Sequence, residues 1–371
     1  MNKRIKLLIA SDEMEVGGTQ RQISHFLKNV DKQIFEPHLL YFRQESYLLD
    51  ELREAGVRII HIPKNGRIDL KCLYSIIQLF WHERYDIIHC FSLTAEFWCG
   101  IAKLVSPKAD FYTSIRARYD WFNFREWTQK RFVTRLSKTV ISNSLAGSEY
   151  AVLKDGGMES KLKTIYNGVA VDSSELESDT KSLLPDKEKA TGLFIGRLVE
   201  QKNLPCLLRA LASIKKTDTE LQLVIVGSGV EELQLKQLAD EFELGDMVVW
   251  MGERKEAQAL IRYADFVVLP SHSEGISNAL LETMLNGRVI IASDIKGNAE
   301  IIEHGRNGFL FPPDNCDALA KIIQQVISDR DLLDDVAKAG QQDAETYFSV
   351  DVMTKKFTEL YLAERVTESQ I

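Results

Sequence analysis

Ala264-Asp265-Phe266-Val267-Val268-Leu269-Pro270-Ser271-His272-Ser273-Glu274-Gly275-Ile276-Ser277-Asn278-Ala279-Leu280-Leu281-Glu282 is the stretch on which the fold turns. Its first part, up to Pro270, is an apolar run and reads as a buried strand. After Ser277 the spacing changes, and Leu280, Leu281, Met284 and Leu285 supply the packing face of a helix. Ser277 is expected to cap that helix, leaving the amides near Gly275 and Ile276 without helical partners. Such a helix start attracts anions, because its free N–H groups and its dipole both favour negative charge. Glu274 stands just before this anion site and Glu282 about two turns into the helix, eight residues apart. Carboxylates accept hydrogen bonds from hydroxyls, whereas amides and basic side chains hold phosphate. A ligand with a central diphosphate and hydroxyl-rich ends, such as a nucleotide sugar, has the matching layout. Taken alone, two glutamates at this spacing are more often solvated surface carboxylates; a second, basic segment shifts the balance.

A chain of 371 residues with 45% hydrophobic and 27% charged residues has room for two domains, each with its own core. A net charge of −8 argues against general nucleic-acid binding. Cys72, Cys90, Cys99, Cys206 and Cys316 form no CxxC pair and read as reduced, packed thiols of a cytosolic protein. The apolar run at 5–10 is too short for a signal peptide, with Asp12, Glu13 and Glu15 following, and reads as a first strand. No apolar run reaches the roughly 18–20 residues of a membrane helix.

Outward from the opening stretch, short apolar runs alternate with helical patterns along the whole chain. Strands are expected at 5–10, 37–42, 57–62, 86–90, 111–115, 139–142 and 163–166. After a polar stretch they resume at 193–196, 222–226, 247–251, 266–270 and 289–292, with 308–311 as a short edge. This alternation predicts an α/β protein with two Rossmann-like, doubly wound, mostly parallel domains facing a central cleft. The expected division is a first domain at 1–172, a linker at 173–190 rich in Ser, Asp and Glu, and a second domain at 191–348. A last helix at 349–371 is expected to cross back to the first domain. Ligands of such sheets bind beyond the carboxyl ends of the strands, so the cleft is the expected site.

The second segment is Gly196-Arg197-Leu198-Val199-Glu200-Gln201-Lys202-Asn203, which follows the strand near 193. Gly196 permits a tight turn. Arg197 offers a planar fork for phosphate and Lys202 a compact point charge. A single pair of cations is ordinarily a solvated surface feature. Here both sit at the carboxyl end of an expected strand, as does the Glu274 loop, and a parallel sheet gathers those ends.

These residues, with Val226-Gly227-Ser228-Gly229, Pro270-Ser271, Asn278, Gly297, Glu300, Asn307-Gly308 and Pro312, resemble the retaining glycosyltransferases of family four, which have a GT-B fold. Gly17-Gly18 after the first strand and Asn167-Gly168-Val169 near the linker extend the resemblance to nearly the whole chain. It implies that Arg197 and Lys202 bind the donor diphosphate and stabilise the leaving nucleotide. Glu274 would contact donor-sugar hydroxyls and Glu282 the ribose. Gly17, Gly18, Gly196, Gly227, Gly275, Ile276, Ser277 and Asn278 would complete the donor site, the backbone after Gly275 meeting the phosphates. Many members carry a His after the strand corresponding to 111–115; here the segment reads Thr113-Ser114-Ile115-Arg116. Arg116 is the candidate in its place, and His272 a further candidate contact to acceptor or sugar. The donor implied is a UDP- or GDP-linked hexose, the acceptor a saccharide or lipid-linked saccharide of a cell-envelope polysaccharide, and no cofactor is expected.

Preorganised cations lower the barrier for a departing diphosphate without a metal ion. Asp329-Arg330-Asp331 is better read as a helix cap than as a metal site, and the seven histidines show no ligand spacing. Gly227-Ser228-Gly229 lacks the third glycine of the dinucleotide pattern, which makes a dehydrogenase a poor fit. The nearer alternatives are a GT-B sugar-nucleotide epimerase or a glycoside phosphorylase. A sugar-binding module without catalysis is the alternative from another class. Finally, 116–138 carries seven cations against Asp120 and Glu126, interleaved with aromatics. Through Arg116, Arg125, Trp127, Lys130, Arg131 and Arg135 it fits either the surface of an anionic membrane or a packed helix with a solvated basic side. The membrane reading would place the protein in the cytoplasm and on the inner face of the membrane.

Overall fold

A computed structural model describes residues 3–106, 108–119, 121–171, 189–217, 219–254 and 256–368. The linker expected at 173–190 lies outside these residues up to 188, and its last residue, Ala190, opens a strand. The chain forms two compact units, one of residues 1–168 with 350–371 and one of residues 169–349.

The first unit is built on β1 (Ile5–Ala10), β2 (Phe35–Tyr41), β3 (Arg58–His61), β4 (Ile87–Cys90), β5 (Asp110–Ile115), β6 (Thr139–Ser142) and β7 (Leu162–Thr164). Among the described residues they make one sheet in the order β3-β2-β1-β4-β5-β6-β7, every pair parallel. Successive side chains of a strand point to opposite faces. Leu7 and Ile9 accordingly join a core with helices Gly18–Asn29 and Val350–Glu368, while Leu8 and Ala10 join a second core with Leu70–Glu83 and Leu93–Leu104. Both faces are covered, which is why the strands read as continuous apolar runs rather than as alternating ones. The helix Val350–Glu368 is tied in by aromatic packing, with Phe357 and Phe26 rings 5.0 Å apart. Its Tyr361 hydroxyl lies 2.7 Å from Nδ1 of the fully buried His89 at the end of β4. Burial pushes the His89 pKa well below the usual value, so the ring is held neutral as a packing and hydrogen-bonding element.

The second unit carries β8 (Ala190–Ile195), β9 (Leu221–Val226), β10 (Val248–Gly252), β11 (Phe266–Leu269), β12 (Val289–Ser293) and β13 (Phe309–Phe311). Their order is β10-β9-β8-β11-β12-β13, again all parallel, with β13 at the edge. This is the doubly wound dinucleotide-fold order. The chain runs outward from β8 in one direction, then returns and runs outward from β11 in the other. The topological switch point therefore lies between β8 and β11, and in such sheets the crevice for ligands opens beyond the carboxyl ends of the strands at that point. The α/β class with two parallel sheets agrees with the reading of the sequence. Asp329 caps helix Arg330–Tyr347, its carboxylate accepting from the Leu332 amide at 3.0 Å.

Candidate active site

The two loops flanking the switch point are the two singled out in the sequence. After β8 the chain turns at Gly196 and passes Arg197, which is exposed, and Lys202 before helix Leu204–Lys215. After β11 it runs through Ser271–Ser277 into helix Asn278–Leu285. Backbone and side chain of Gln201 sew the loops together: its carbonyl accepts from the His272 amide at 2.9 Å, and its Nε2 donates to the Ser273 carbonyl at 2.6 Å. At the centre Lys202 Nζ lies 2.5 Å from Glu274 Oε1, with side chains only 13% and 11% exposed. The Ser271 hydroxyl donates to the same oxygen at 2.8 Å. Glu274 is thus aimed by two donors, and an ammonium and a carboxylate stand together at the rim, next to the Arg197 loop.

Glu282 is buried on helix Asn278–Leu285 and accepts from Gln258 Nε2. Ser277 occupies the N-cap position, but its side chain makes no capping bond. This corrects the expected cap: a backbone that enters the helix extended brings the residue to the right place without turning its hydroxyl to the amides. His272 Nδ1 lies 3.5 Å from the Asp314 carboxylate, which also accepts from Asn203 Nδ2 at 3.0 Å. Gln201, Asn203, Gln258 and Ser271 were not singled out as site residues from sequence. Gln201 lay inside the quoted motif, yet only strand register shows that it bridges two loops.

Gly227 and Gly297 are two of the glycines that close backbone approach demands. Gly227, after β9, has φ +138, and a Cβ there would sit 1.9 Å from the Gly196 carbonyl oxygen. A Cβ on Gly297, after β12, would sit 2.1 Å from the Gly275 carbonyl oxygen and 2.6 Å from that of Glu274. Gly297→Ala must push the Glu274 loop aside. Overpacking of this kind costs about 1–3 kcal/mol, so we expect a lower melting temperature together with at least tenfold lower turnover. Gly156→Ala, whose Cβ would meet nothing within 4 Å, is the control; equal kinetics of the two variants would sever Gly297 from the site.

In the first unit, Gly17 and Gly18 start helix Gly18–Asn29 at the carboxyl end of β1. Gly17 is extended, and a Cβ on it would meet mainly the Gln20 side chain, so its own packing does not demand a glycine. Arg116 follows β5, its Nη2 donating to Asn167 Oδ1 at 2.6 Å and its guanidinium 5.3 Å from the Phe91 ring centre. Its Nε is buried without a hydrogen-bond partner. Enclosure lowers its pKa to about 10, which leaves it cationic at neutral pH.

The basic segment is corrected in part. On helix Phe124–Leu136, Trp127 and Lys130 are buried, Lys130 in an ion pair with Glu96, and Arg131 Nη2 donates to the Lys154 carbonyl at 2.8 Å. Arg116 is engaged as described. Those charges are taken up within the fold, Lys130 where the helix packs on helix Leu93–Leu104, Arg131 at the end of helix Leu145–Lys154 and Arg116 in the loop after β5, while Arg125 and Arg135 remain exposed. Among the described residues no group of three or more His, Cys, Asp or Glu side chains gathers as a metal site, and no helix is long and apolar enough to cross a membrane.

Comparison with known proteins follows the two units. A family model described as "Glycosyl transferases group 1" matches residues 176–343, and one described as "Glycosyltransferase Family 4" matches residues 16–173. An uncharacterized glycosyltransferase, MJ1607 of Methanocaldococcus jannaschii, is 30% identical over 296 residues, 75% of each chain. The Escherichia coli UDP-Gal:alpha-D-GlcNAc-diphosphoundecaprenol alpha-1,3-galactosyltransferase is 24% identical over 376 residues, 94% of each. The crystal structure of Anabaena Alr3699/HepE in complex with UDP-glucose superposes with a TM-score of 0.84 at 21% identity, covering 97% of this chain and all of that one.

Proposed function

This chain belongs to the family-four glycosyltransferases of group 1, and from that premise we propose that it moves a hexose from a UDP- or GDP-linked donor to a saccharide or lipid-linked saccharide, with retention of configuration. The observation that carries the reading is the Lys202–Glu274–Ser271 cluster at the switch point, with Arg197 beside it. In the transfer, the bond from the anomeric carbon to the donor phosphate oxygen breaks and a bond to the acceptor oxygen forms on the same face. The acceptor's proton passes to the departing phosphate. Negative charge grows on that phosphate, so fixed cations aimed at it stabilise the transition state more than the ground state. Lys202 and Arg197 take that part. Glu274 receives donor-sugar hydroxyls while holding Lys202 in place, and Glu282 receives the ribose hydroxyls. Donor-binding roles go to Gly17 and Gly18 in the first unit and to Gly196, Gly227 and Gly275 to Asn278 in the second, and sugar or acceptor roles to Arg116 and His272. The diphosphoundecaprenol in the name of the galactosyltransferase relative supports a lipid-linked acceptor of envelope polysaccharide synthesis.

The test is a screen of UDP- and GDP-hexoses with and without a saccharide-diphosphate-lipid acceptor, following release of free nucleotide and the anomeric configuration of the product. Acceptor-dependent release with an inverted product would overturn retention. Epimerisation of the donor, or binding without release, would overturn transfer. Because the proposed clamp on the leaving group is made of Arg197 and Lys202, turnover is expected to survive exhaustive chelation. A chelated enzyme that is inactive and revives with Mg²⁺ or Mn²⁺ contradicts it.

A further inference from the structure

A groove of about 600 Å³ opens on the first unit, bordered by helices Leu70–Glu83 and Leu93–Leu104 and by the start of Phe124–Leu136. Small-molecule sites occupy roughly 300–1,000 Å³. One side of the groove is apolar, with Ile68, Leu70, Phe97 and Trp98. Ile68 and Leu70 are 77% and 73% exposed, so the outer part of this side runs out into solvent, while Trp98 at its inner end belongs to the core. Four cations, Arg43, Lys64, Arg67 and Arg125, line the same groove against a single lining carboxylate, Glu126.

The charges differ in how far they are already engaged. Glu126 is turned to its own helix start, accepting from the Asn123 amide at 2.8 Å. Arg43 is 3.5 Å from the Asp12 carboxylate. Lys64 donates to the Gly66 carbonyl at 2.5 Å and stands 5.5 Å from the Trp98 ring centre, at the meeting of the cationic and apolar parts. Arg67 and Arg125 are exposed. In a chain of net charge −8, such a concentration of cations beside exposed apolar side chains asks for one ligand with both characters. A free phosphate leaves the apolar side wet, and a neutral lipid leaves the cations unused. Arginine forks match phosphate oxygens, and covering exposed apolar side chains is favourable in water.

We propose that this groove binds a prenyl diphosphate, the diphosphate on Arg67, Arg125 and Lys64 and the first isoprene units along Ile68, Leu70 and Phe97. Its role as the anchor of the glycosyl acceptor rests on the transfer function proposed above; the binding itself does not.

Calorimetric titration of the full chain with farnesyl diphosphate, inorganic pyrophosphate and farnesol tests it. Farnesyl diphosphate is expected to bind at least tenfold more tightly than either half. The double substitution Arg67→Gln, Arg125→Gln is expected to weaken it at least tenfold and flatten its dependence on salt. Ile68→Ser with Leu70→Ser is expected to weaken it severalfold while sparing pyrophosphate. All four side chains are exposed, and thermal melts verify that the variants fold. No binding by the parent, equal binding of pyrophosphate or of farnesol, or parent-like affinity in both double variants overturns the proposal. UDP-hexose binding is measured on the same proteins; its absence in the parent would count against the transfer reading, while farnesyl diphosphate affinity still judges the groove.

Discussion

Lys202→Ala and Arg197→Ala are each expected to lower kcat/KM by at least about tenfold with the fold intact. A hydrogen bond to a charged group contributes about 1.5–3 kcal/mol, and each ~1.4 kcal/mol is a factor of ten in rate. The expected loss is therefore about ten- to a hundredfold for one contact to the leaving diphosphate. Lys202 carries a second consequence. Its removal strips Glu274, only 11% exposed, of its cationic partner, leaving the Ser271 hydroxyl as its donor. The Lys202 variant should thus lose affinity for the donor as well as turnover, whereas Arg197, exposed in its loop, should act mainly on turnover. Steady-state kinetics on both variants, with thermal melts as the folding check, decide this. Near-normal kinetics in both would remove the diphosphate clamp from the mechanism.

The largest effect on stability is expected at Lys130. Its Nζ lies 2.7 and 2.8 Å from the two Glu96 oxygens and 2.7 Å from the Ser114 carbonyl, and Glu96 Oε1 also accepts the Ser114 amide at 2.8 Å. The two side chains are 2% and 1% exposed. Removing one member of such a pair strands a buried charge and costs about 3–5 kcal/mol. For a unit of this size that is a fall of roughly 6–20 °C in melting temperature. Lys130→Met should show it. Lys130→Met combined with Glu96→Leu should recover most of it, because no charge is then left behind. Desolvation raises the Glu96 pKa even with Lys130 present, and losing the cation raises it further. The folded single variant therefore holds a proton that the unfolded chain has released, over the window between the ordinary carboxyl pKa and the raised one. Its stability falls as pH rises through that window and is partly restored toward pH 5. A single variant as stable as the parent, or one that weakens further on acidification from pH 7 to 5, would refute the account.

Much of this molecule is local and could be read locally. Strand and helix alternate because apolar runs bounded by turn residues cannot do otherwise in a sheet covered on both faces, and the segments expected at 5–10 and 139–142 occur at those residues. Arg197, Lys202 and Glu274 could be singled out because each follows a readable strand and parallel sheets gather strand ends. Ser277 shows where local reading stops: its position at the helix start was legible, but the orientation of its hydroxyl was not. The basic segment shows the same boundary. Lys130 and Arg125 sit on one helix with the same charge, yet the first is buried against Glu96 and the second is exposed. Nothing near either in sequence separates them, because Glu96 is 34 residues away.

Sequence by itself therefore determined the two parallel α/β sheets and the loops that carry charge, since periodicity and turn chemistry are properties of neighbouring residues. Only the tertiary structure decided which of those charges are engaged. It set the Lys202–Glu274 contact 72 residues apart, and it made Gly297 necessary by bringing it against the Gly275 carbonyl. It also gathered Arg43, Lys64, Arg67 and Arg125 around one groove. Contacts of that kind depend on strand order and register, which are fixed by the packing of the whole sheet.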